Sequence, residues 1–436
     1  MNRTLVVSAS LGLLLCGGAA VLLGQRSDDP IWTKHPAIQY ATRAATDPVA
    51  ELNQRIRDDR AHLTFDATGG YLRSVLDALH VPVESQMLVY SETSLQHEHI
   101  ALATPRALYF NDSVAVGWVN GAEAVEVAAH DPQQGVIFYV LSQMPSQKPH
   151  FVRSSQCLQC HETPTTAGVP GLLTMSMLPL SDDPNEYAVG WAVDQRTPIE
   201  DRWGGWYVTG AMVPKTHLGN VPVYHVRTSG VRAAVAPQLP SVAGAINAAP
   251  YLTPYSDVAA ILIFNHQTYM TNLLTRLNWV TRVAEYDTQV PAAPASRGAV
   301  VKKVDADGVA SLAAELVDYM LFIDEVPLTG RVKGGSGFTE RFAATGPRDS
   351  KGRSLRELDL EKRLLRYPCS YMIYSAAFEA LPIQAKSAVY ARLWHVLSGQ
   401  DPDRAYARLS PADRQAIVEI LRDTKNDLPA SFRAVR

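Results

Sequence analysis

The alternation of apolar and polar positions divides the chain into a strand-rich part and a helix-rich part. Between residues 86 and 143, turn residues separate five short segments rich in Val, Tyr and Phe, which predicts antiparallel strands: QMLVYS, RALYFN, SVAVGWVN, EAVEVAAHD and GVIFYVLSQ. YAVGWAVD and WGGWYVTG continue this pattern further along. Upstream, DPVAELNQRIRDD and GGYLRSVLDALHVP carry apolar residues at helical spacing and predict two short flanking helices.

Beyond residue 250 the apolar period becomes helical. Residues 256–287 predict one long helix with Ser256 as its N-cap. One face of that helix carries Val258, Leu262, His266, Met270, Leu273, Leu277 and Val280. Further helices are predicted in GVASLAAELVDYMLFID, SLRELDLEKRLLRY, CSYMIYSAAFEAL, PIQAKSAVYARLWHVLSG and SPADRQAIVEILRDTKNDLP. The predicted fold class is therefore α+β, with an antiparallel β-rich N-terminal half, flanking helices and a helical C-terminal half.

Composition shifts suggest where this organisation changes. We predict a signal or anchor segment at residues 1–24, an α+β domain at 25–286, a linker or loop at 287–308 and a helical region at 309–436. The linker prediction depends on the stretch TQVPAAPASRGAVVKK, which is rich in Pro and Ala.

The N-terminal segment predicts export. Residues 5–23 are uncharged and follow Arg3, a pattern typical of a secretory signal, and the stretch is just long enough to cross a bilayer. Cleavage and retention as an anchor in the cytoplasmic membrane both remain open. In either case the rest of the chain is expected in the periplasm. The net charge of −3 supplies no basic surface for nucleic acid, which we exclude as a partner.

Candidate chemistry is concentrated in SSQCLQCHET, where Cys157 and Cys160 are followed by His161. A structural zinc site needs four ligands, and the chain has no second cysteine pair. A redox dithiol is expected at a helix start after a strand of a βαβ unit, whereas the strands upstream look antiparallel. Covalent haem uses every residue of the motif, because two thiols join the haem and the histidine ligates its iron.

Seven segments in this order resemble a family of exported bacterial proteins described as cytochrome c domain-containing: SQMLVYSETSLQ, RALYFNDSVAVGWV, CLQCH, RWGGWYVTG, HLGN, YSDVAAILIFNHQTYMTN and RYPCSYMIYSAAFEALP. The resemblance covers nearly the whole chain after the export segment. It implies a haem-linking role for Cys157 and Cys160 and a proximal role for His161, and it gives neither a reaction nor a sixth ligand.

The sixth iron ligand distinguishes an electron carrier, in which a Met or a second His fills the position, from an enzyme or sensor, in which the position is open. His217, in the Gly-containing KTHLGN loop, is our leading candidate for the distal position. The others are His266 on the long helix and three methionines, Met175, Met177 and Met212. Arg202 is a candidate partner for a haem propionate.

These observations predict a periplasmic monohaem c-type cytochrome that transfers single electrons to periplasmic redox partner proteins, with one covalent haem c as cofactor. An electron-transfer protein is favoured over a substrate-converting enzyme. Two alternatives stay open. One is a haem-dependent redox enzyme acting on a small molecule, since the chain is longer than a carrier needs. The other is a haem-based sensor or interaction module.

Overall fold

The computed structural model describes residues 32–177, 190–220, 236–290 and 306–433. The predicted export segment at residues 1–24 lies outside these ranges, as do residues 291–305 of the predicted linker. Among the described residues, no helix combines the length and the apolar character that crossing a bilayer requires.

A seven-stranded antiparallel sheet forms the N-terminal half, in the order β6-β5-β4-β3-β2-β1-β9. Its strands are β1 (Met87–Val89), β2 (Arg106–Phe110), β3 (Val114–Trp118), β4 (Ala124–Asp131), β5 (Gly135–Ser142), β6 (Val152–Arg153) and β9 (Trp206–Tyr207). A separate pair is formed by β7 (Met175–Met177) and β8 (Gly190–Ala192). The five strands predicted between residues 86 and 143 are thereby confirmed.

Ten α-helices lie within the described ranges, so the α+β prediction is confirmed. They are α1 (Pro48–Arg57), α2 (Leu72–Ala78), α3 (Leu158–His161), α4 (Val258–Gln289), α5 (Ala306–Met320), α6 (Phe338–Ala344), α7 (Ala376–Glu379), α8 (Ile383–Leu397), α9 (Pro411–Thr424) and α10 (Ala430–Arg433).

The two faces of the sheet are covered by different elements. On β4, Val125, Val127 and Ala129 belong to the same core as the apolar residues of α1 and α2. Glu126, Ala128 and His130 point to the other face because side chains alternate along a strand. Part of that second face packs on α4, and part of it packs on the segment that carries α3.

The helical C-terminal half shares a core with the sheet. One cluster of buried residues joins Met87 and Phe110 of the sheet, residues 258–277 of α4, and helices α5, α6, α8 and α9. The rings of Phe110 and Phe264 lie 4.9 Å apart at this junction. Helix α4 therefore lies between the sheet and the C-terminal helices and contacts both.

The predicted N-cap of α4 is wrong by one residue. Asp257 caps the helix, and its Oδ1 accepts hydrogen bonds from the backbone N–H groups of Ala259 (2.9 Å) and Ala260 (3.2 Å). The Ser256 hydroxyl is instead engaged by the sheet, because it donates to the carbonyl of Tyr207 and accepts from the N–H of Leu88.

The helix predicted in SLRELDLEKRLLRY is also wrong. These residues form turns, with an isolated bridge between Leu358 and Leu365. The Asp359 carboxylate accepts backbone hydrogen bonds from Glu361, Lys362 and Arg363. An aspartate that satisfies the backbone locally competes with helix formation, and here it produces a tight turn.

Candidate functional site

Helix α3 is a single turn that brings the three residues of the CxxCH motif together. Its backbone bonds run from the N–H groups of Cys160 (3.2 Å) and His161 (2.9 Å) to the carbonyl of Cys157. Residues three and four apart on a helix are neighbours on one face. Cys157 is half-buried, Cys160 is exposed, and both are free thiols. The motif therefore presents two accessible thiols beside one imidazole.

A backbone carbonyl fixes the orientation of the His161 ring. The Nδ1 atom lies 2.9 Å from the carbonyl oxygen of Gly171, and the N–H of Gly171 donates to the carbonyl of His161 at 2.9 Å. Because a carbonyl only accepts, Nδ1 carries the proton and Nε2 keeps its lone pair. Burial lowers the pKa of the His161 imidazole and favours the neutral form. A neutral ring with a free Nε2 is the form that ligates a metal.

The motif lies against a small apolar platform on the second face of the sheet. Ala128, Val136 and Phe138 form this platform, and Cys157 and Leu158 pack on it. The ring centroids of Phe138 and His161 are 4.8 Å apart. The platform desolvates the Cys157 thiol, and this burial raises its pKa. The predicted placement of the motif in a mostly β environment is confirmed.

A charged pair that the sequence analysis missed lies beside the platform. Arg106 of β2 forms a salt bridge of 2.5 Å with Glu126 of β4, and both side chains are mostly buried. The arginine side chain crosses β3 at Gly117, where an added Cβ would lie 2.4 Å from its Nη2 atom. The Ser94 hydroxyl also donates to the Glu126 carboxylate.

The Arg106–Glu126 pair acts electrostatically on the motif. Glu126 raises and Arg106 lowers the pKa of the Cys157 thiol, after the larger effects of burial, which raises it, and of a hydrogen bond with Ser154, which lowers it. Arg106 lowers and Glu126 raises the pKa of His161, after the larger effects of burial and the bond to Gly171. The Nε atom of Arg106 is buried and has no hydrogen-bond partner within the described part of the chain. Because side chains alternate along a strand, Arg106 and Glu126 both lie on the sheet face that carries Ala128. They can pair across β3 because Gly117 has no side chain between them.

Arg202, the predicted propionate partner, has a structural role in a different part of the molecule. Its guanidinium donates to the carbonyls of Thr197 (2.7 Å) and Gln195 (3.0 Å) and is almost fully buried. Burial lowers its pKa to about 10. Arg106, in contrast, is close enough to the motif to affect the pKa values of Cys157 and His161.

The structure does not bring His217 to His161. The His217 loop is attached to β9, because Asn220 donates its N–H to the carbonyl of Trp206, whereas His161 packs on β5. Five strand spacings separate β5 from β9, which is roughly 24 Å. The His217 Nδ1 accepts the N–H of Gly219 at 3.0 Å, and its buried Nε2 has no partner among the described residues. Burial lowers its pKa to about 4.

His266 is a fully buried core residue with both ring nitrogens engaged. Its Nδ1 lies 2.6 Å from the Gln195 Oε1, and its Nε2 lies 2.7 Å from the Ser370 hydroxyl. The ring stacks on Phe322 with centroids 4.5 Å apart. No lone pair of His266 is left for a metal in this arrangement.

Two of the three candidate methionines, Met177 and Met212, lie away from the motif. Met177 is buried beside Gly190 and Gly205, near β9. Met175 belongs to the same short strand, and its carbonyl accepts the Trp206 indole N–H at 2.7 Å. Met212 is 46 % exposed and its backbone bridges to Lys333.

Within the described ranges, no group of three or more His, Cys, Asp or Glu residues is close enough to hold a metal ion. The chain matches none of the family models, curated proteins or solved structures with which it was compared. A function for this site must therefore be argued from its own residues.

Proposed function

We propose that the chain is an exported monohaem c-type cytochrome, with one haem c joined to Cys157 and Cys160 and His161 as the proximal iron ligand. Such a haem supplies a one-electron Fe(III)/Fe(II) couple when bound. The protein's part is to hold the imidazole, exclude water from its buried side, and set the local charge.

The observation that carries the proposal is the state of His161. Its Nδ1 donates to the Gly171 carbonyl, and Nε2 is left unprotonated on the same helical turn as two free thiols. Metal-ligating histidines regularly have their second nitrogen fixed in this way. A redox dithiol needs no oriented histidine, and a pair of structural cysteines needs no accessible Cys160.

The surroundings of the motif are consistent with electron transfer. Cys160 lies at the surface, where a periplasmic redox partner protein can approach. The predicted export segment supplies the compartment in which covalent haem attachment takes place, either as a cleaved signal or as an anchor in the cytoplasmic membrane. The proposal includes no nucleic-acid partner.

The test is covalent haem in the chain produced with c-type maturation machinery. We expect haem to remain with the denatured wild-type protein and to be lost from Cys157→Ala/Cys160→Ala. Cys369→Ala is the matched control, because Cys369 is buried in the helical half and should not affect attachment. Wild-type protein without covalent haem, or a double variant that retains it, would refute the proposal.

The same preparation separates a carrier from the enzyme and sensor alternatives. Sharp low-spin bands after reduction would indicate a six-coordinate carrier. A high-spin ferrous form that binds carbon monoxide directly would instead favour a substrate-converting enzyme or a sensor. Either spectrum is compatible with the assignment of His161, because the difference concerns only the sixth ligand.

A further inference from the structure

We propose that Asn272 is a positioning residue for His161, which it controls through the peptide group between Gly171 and Leu172. The consequence for a haem iron depends on the proposed function. The geometric part concerns only residues that the structure describes, and it can be tested without haem.

Both polar atoms of the Asn272 carboxamide form hydrogen bonds with the backbone of Leu172. Its Oδ1 accepts the Leu172 N–H at 3.0 Å, and its Nδ2 donates to the Leu172 carbonyl at 2.6 Å. The side chain is almost fully buried on α4. The carboxamide therefore contacts Leu172 as a neighbouring strand would, and it keeps two buried backbone groups satisfied.

The Leu172 N–H and the Gly171 carbonyl belong to the same peptide group. In a planar trans peptide these two bonds point in opposite directions. Holding the N–H toward Asn272 therefore directs the carbonyl away from α4 and toward His161, whose Nδ1 lies 2.9 Å from it. Asn272 and His161 are thus joined through a single rigid peptide unit.

Glycine at position 171 makes this approach possible. An added Cβ would lie 2.2 Å from the Asn272 Oδ1 and 2.7 Å from its Cγ, which is far inside van der Waals contact. On the opposite side, the Val136 N–H of β5 donates to the carbonyl of Pro170 at 3.3 Å. The segment is therefore fixed between the sheet and α4.

A functional consequence follows from the hydrogen bond to Nδ1. A strong acceptor at Nδ1 makes the imidazole a better electron donor to a metal at Nε2. Because a better donor stabilises the oxidised iron, releasing the Gly171 carbonyl is expected to raise the reduction potential. Helix α4 also packs on the C-terminal helices, so Asn272 connects that half of the protein to the motif.

The first experiment uses the full chain without haem, labelled with ¹⁵N-histidine. We expect His161 to hold its proton on Nδ1 in the wild type and to shift toward the Nε2 tautomer in Asn272→Ala. Asn272→Asp keeps the acceptor for the Leu172 N–H but loses the donor to the Leu172 carbonyl, so its His161 tautomer should be closer to that of the wild type than the tautomer of Asn272→Ala is. Asn278→Ala removes a comparable buried bond from α4, to the Ala380 carbonyl, and should leave the His161 tautomer unchanged.

If Asn272→Ala does not fold, Asn272→Ser replaces it, since its shorter side chain cannot reach both backbone groups. An unchanged tautomer in the folded Ala or Ser variant would overturn the inference, whether or not the protein carries haem. In haem-loaded protein we expect Asn272→Ala to raise the potential and Asn278→Ala to leave it unchanged. If the wild-type protein carries no covalent haem, the proposed function is contradicted but the inference about Asn272 is not. The tautomer measurement on the haem-free chain then decides the role of Asn272.

Discussion

The Arg106–Glu126 pair gives the sharpest electrostatic prediction about the proposed haem site. Neutralising Arg106 as Arg106→Gln leaves the Glu126 carboxylate unpaired, and Glu126→Gln leaves the guanidinium unpaired. A cation near the iron favours the ferrous form, which carries one positive charge fewer than the ferric form. We therefore expect Arg106→Gln to lower the reduction potential and Glu126→Gln to raise it.

The magnitude follows from the position of the pair on the sheet. Glu126 lies two residues, about 7 Å, along β4 from Ala128 in the platform. We therefore take about 10 Å as the distance between the Glu126 carboxylate and the proposed iron. At an effective dielectric constant of about 20, a unit charge at that distance contributes roughly 1.7 kcal/mol. This corresponds to about 70 mV for one electron. Screening by salt is modest because both side chains are only about one-fifth exposed.

The assay is a spectroelectrochemical titration of haem-loaded protein at constant ionic strength. The double variant Arg106→Gln/Glu126→Gln should return close to the wild-type potential, because the opposing charges are removed together. Arg353→Gln is a matched control, since Arg353 and its partner Glu419 are similarly exposed but lie in the helical half. Single variants that shift the potential in the same direction, or by less than roughly 10 mV where about 70 mV is expected, would refute the placement of the pair beside the haem.

Two further predictions concern stability. Asp257→Ala removes the cap of α4 and the acceptor of the N–H groups of Gly335 and Ser336, so urea unfolding should show a loss of about 2–4 kcal/mol. Asp257→Asn keeps one acceptor oxygen for the helix cap but loses the acceptor for Gly335 and Ser336, so its loss should be smaller than that of the alanine variant but not zero. A loss below about 1 kcal/mol in the alanine variant would contradict the assignment. Burial raises the pKa of Glu325 to about 7, so the folded state binds the extra proton and stability should fall as pH rises from about 4.5 to 7. The decrease should reach up to about 3 kcal/mol and be absent in Glu325→Gln; equal pH slopes in the two proteins would exclude this cause.

Most of the sheet was predictable because its strands are local patterns. Valine and aromatic residues alternate with polar ones between turn residues, and strands β1 to β6 each pair with their neighbours in sequence. The helix predicted for SLRELDLEKRLLRY was wrong, and the reason is also local. Its leucines have helical spacing, but three backbone bonds to Asp359 produce a turn instead.

The candidate site, too, was predictable from the sequence only in part. Cys157, Cys160 and His161 were identified from sequence because their spacing within one helical turn fixes their relative positions. His217 and His266 were nominated as ligands from the types of segment that contain them, and such segments do not reveal where a ring points. The structure gives His266 two hydrogen-bond partners and attaches the His217 loop to the far edge of the sheet.

By itself, the sequence determined the α+β class, the positions of the main strands and the geometry of the CxxCH turn, since each depends on residues only a few positions apart. Only the tertiary structure decided which nitrogen of His161 is left free, that Arg106 acts on the motif, and that Asn272 of α4 binds Leu172 beside the Gly171 carbonyl that orients His161. Asn272 and Leu172 are 100 positions apart in the chain. Their contact exists because sheet and helix are packed together in one core, and that packing is a property of the whole chain that no short stretch of sequence encodes.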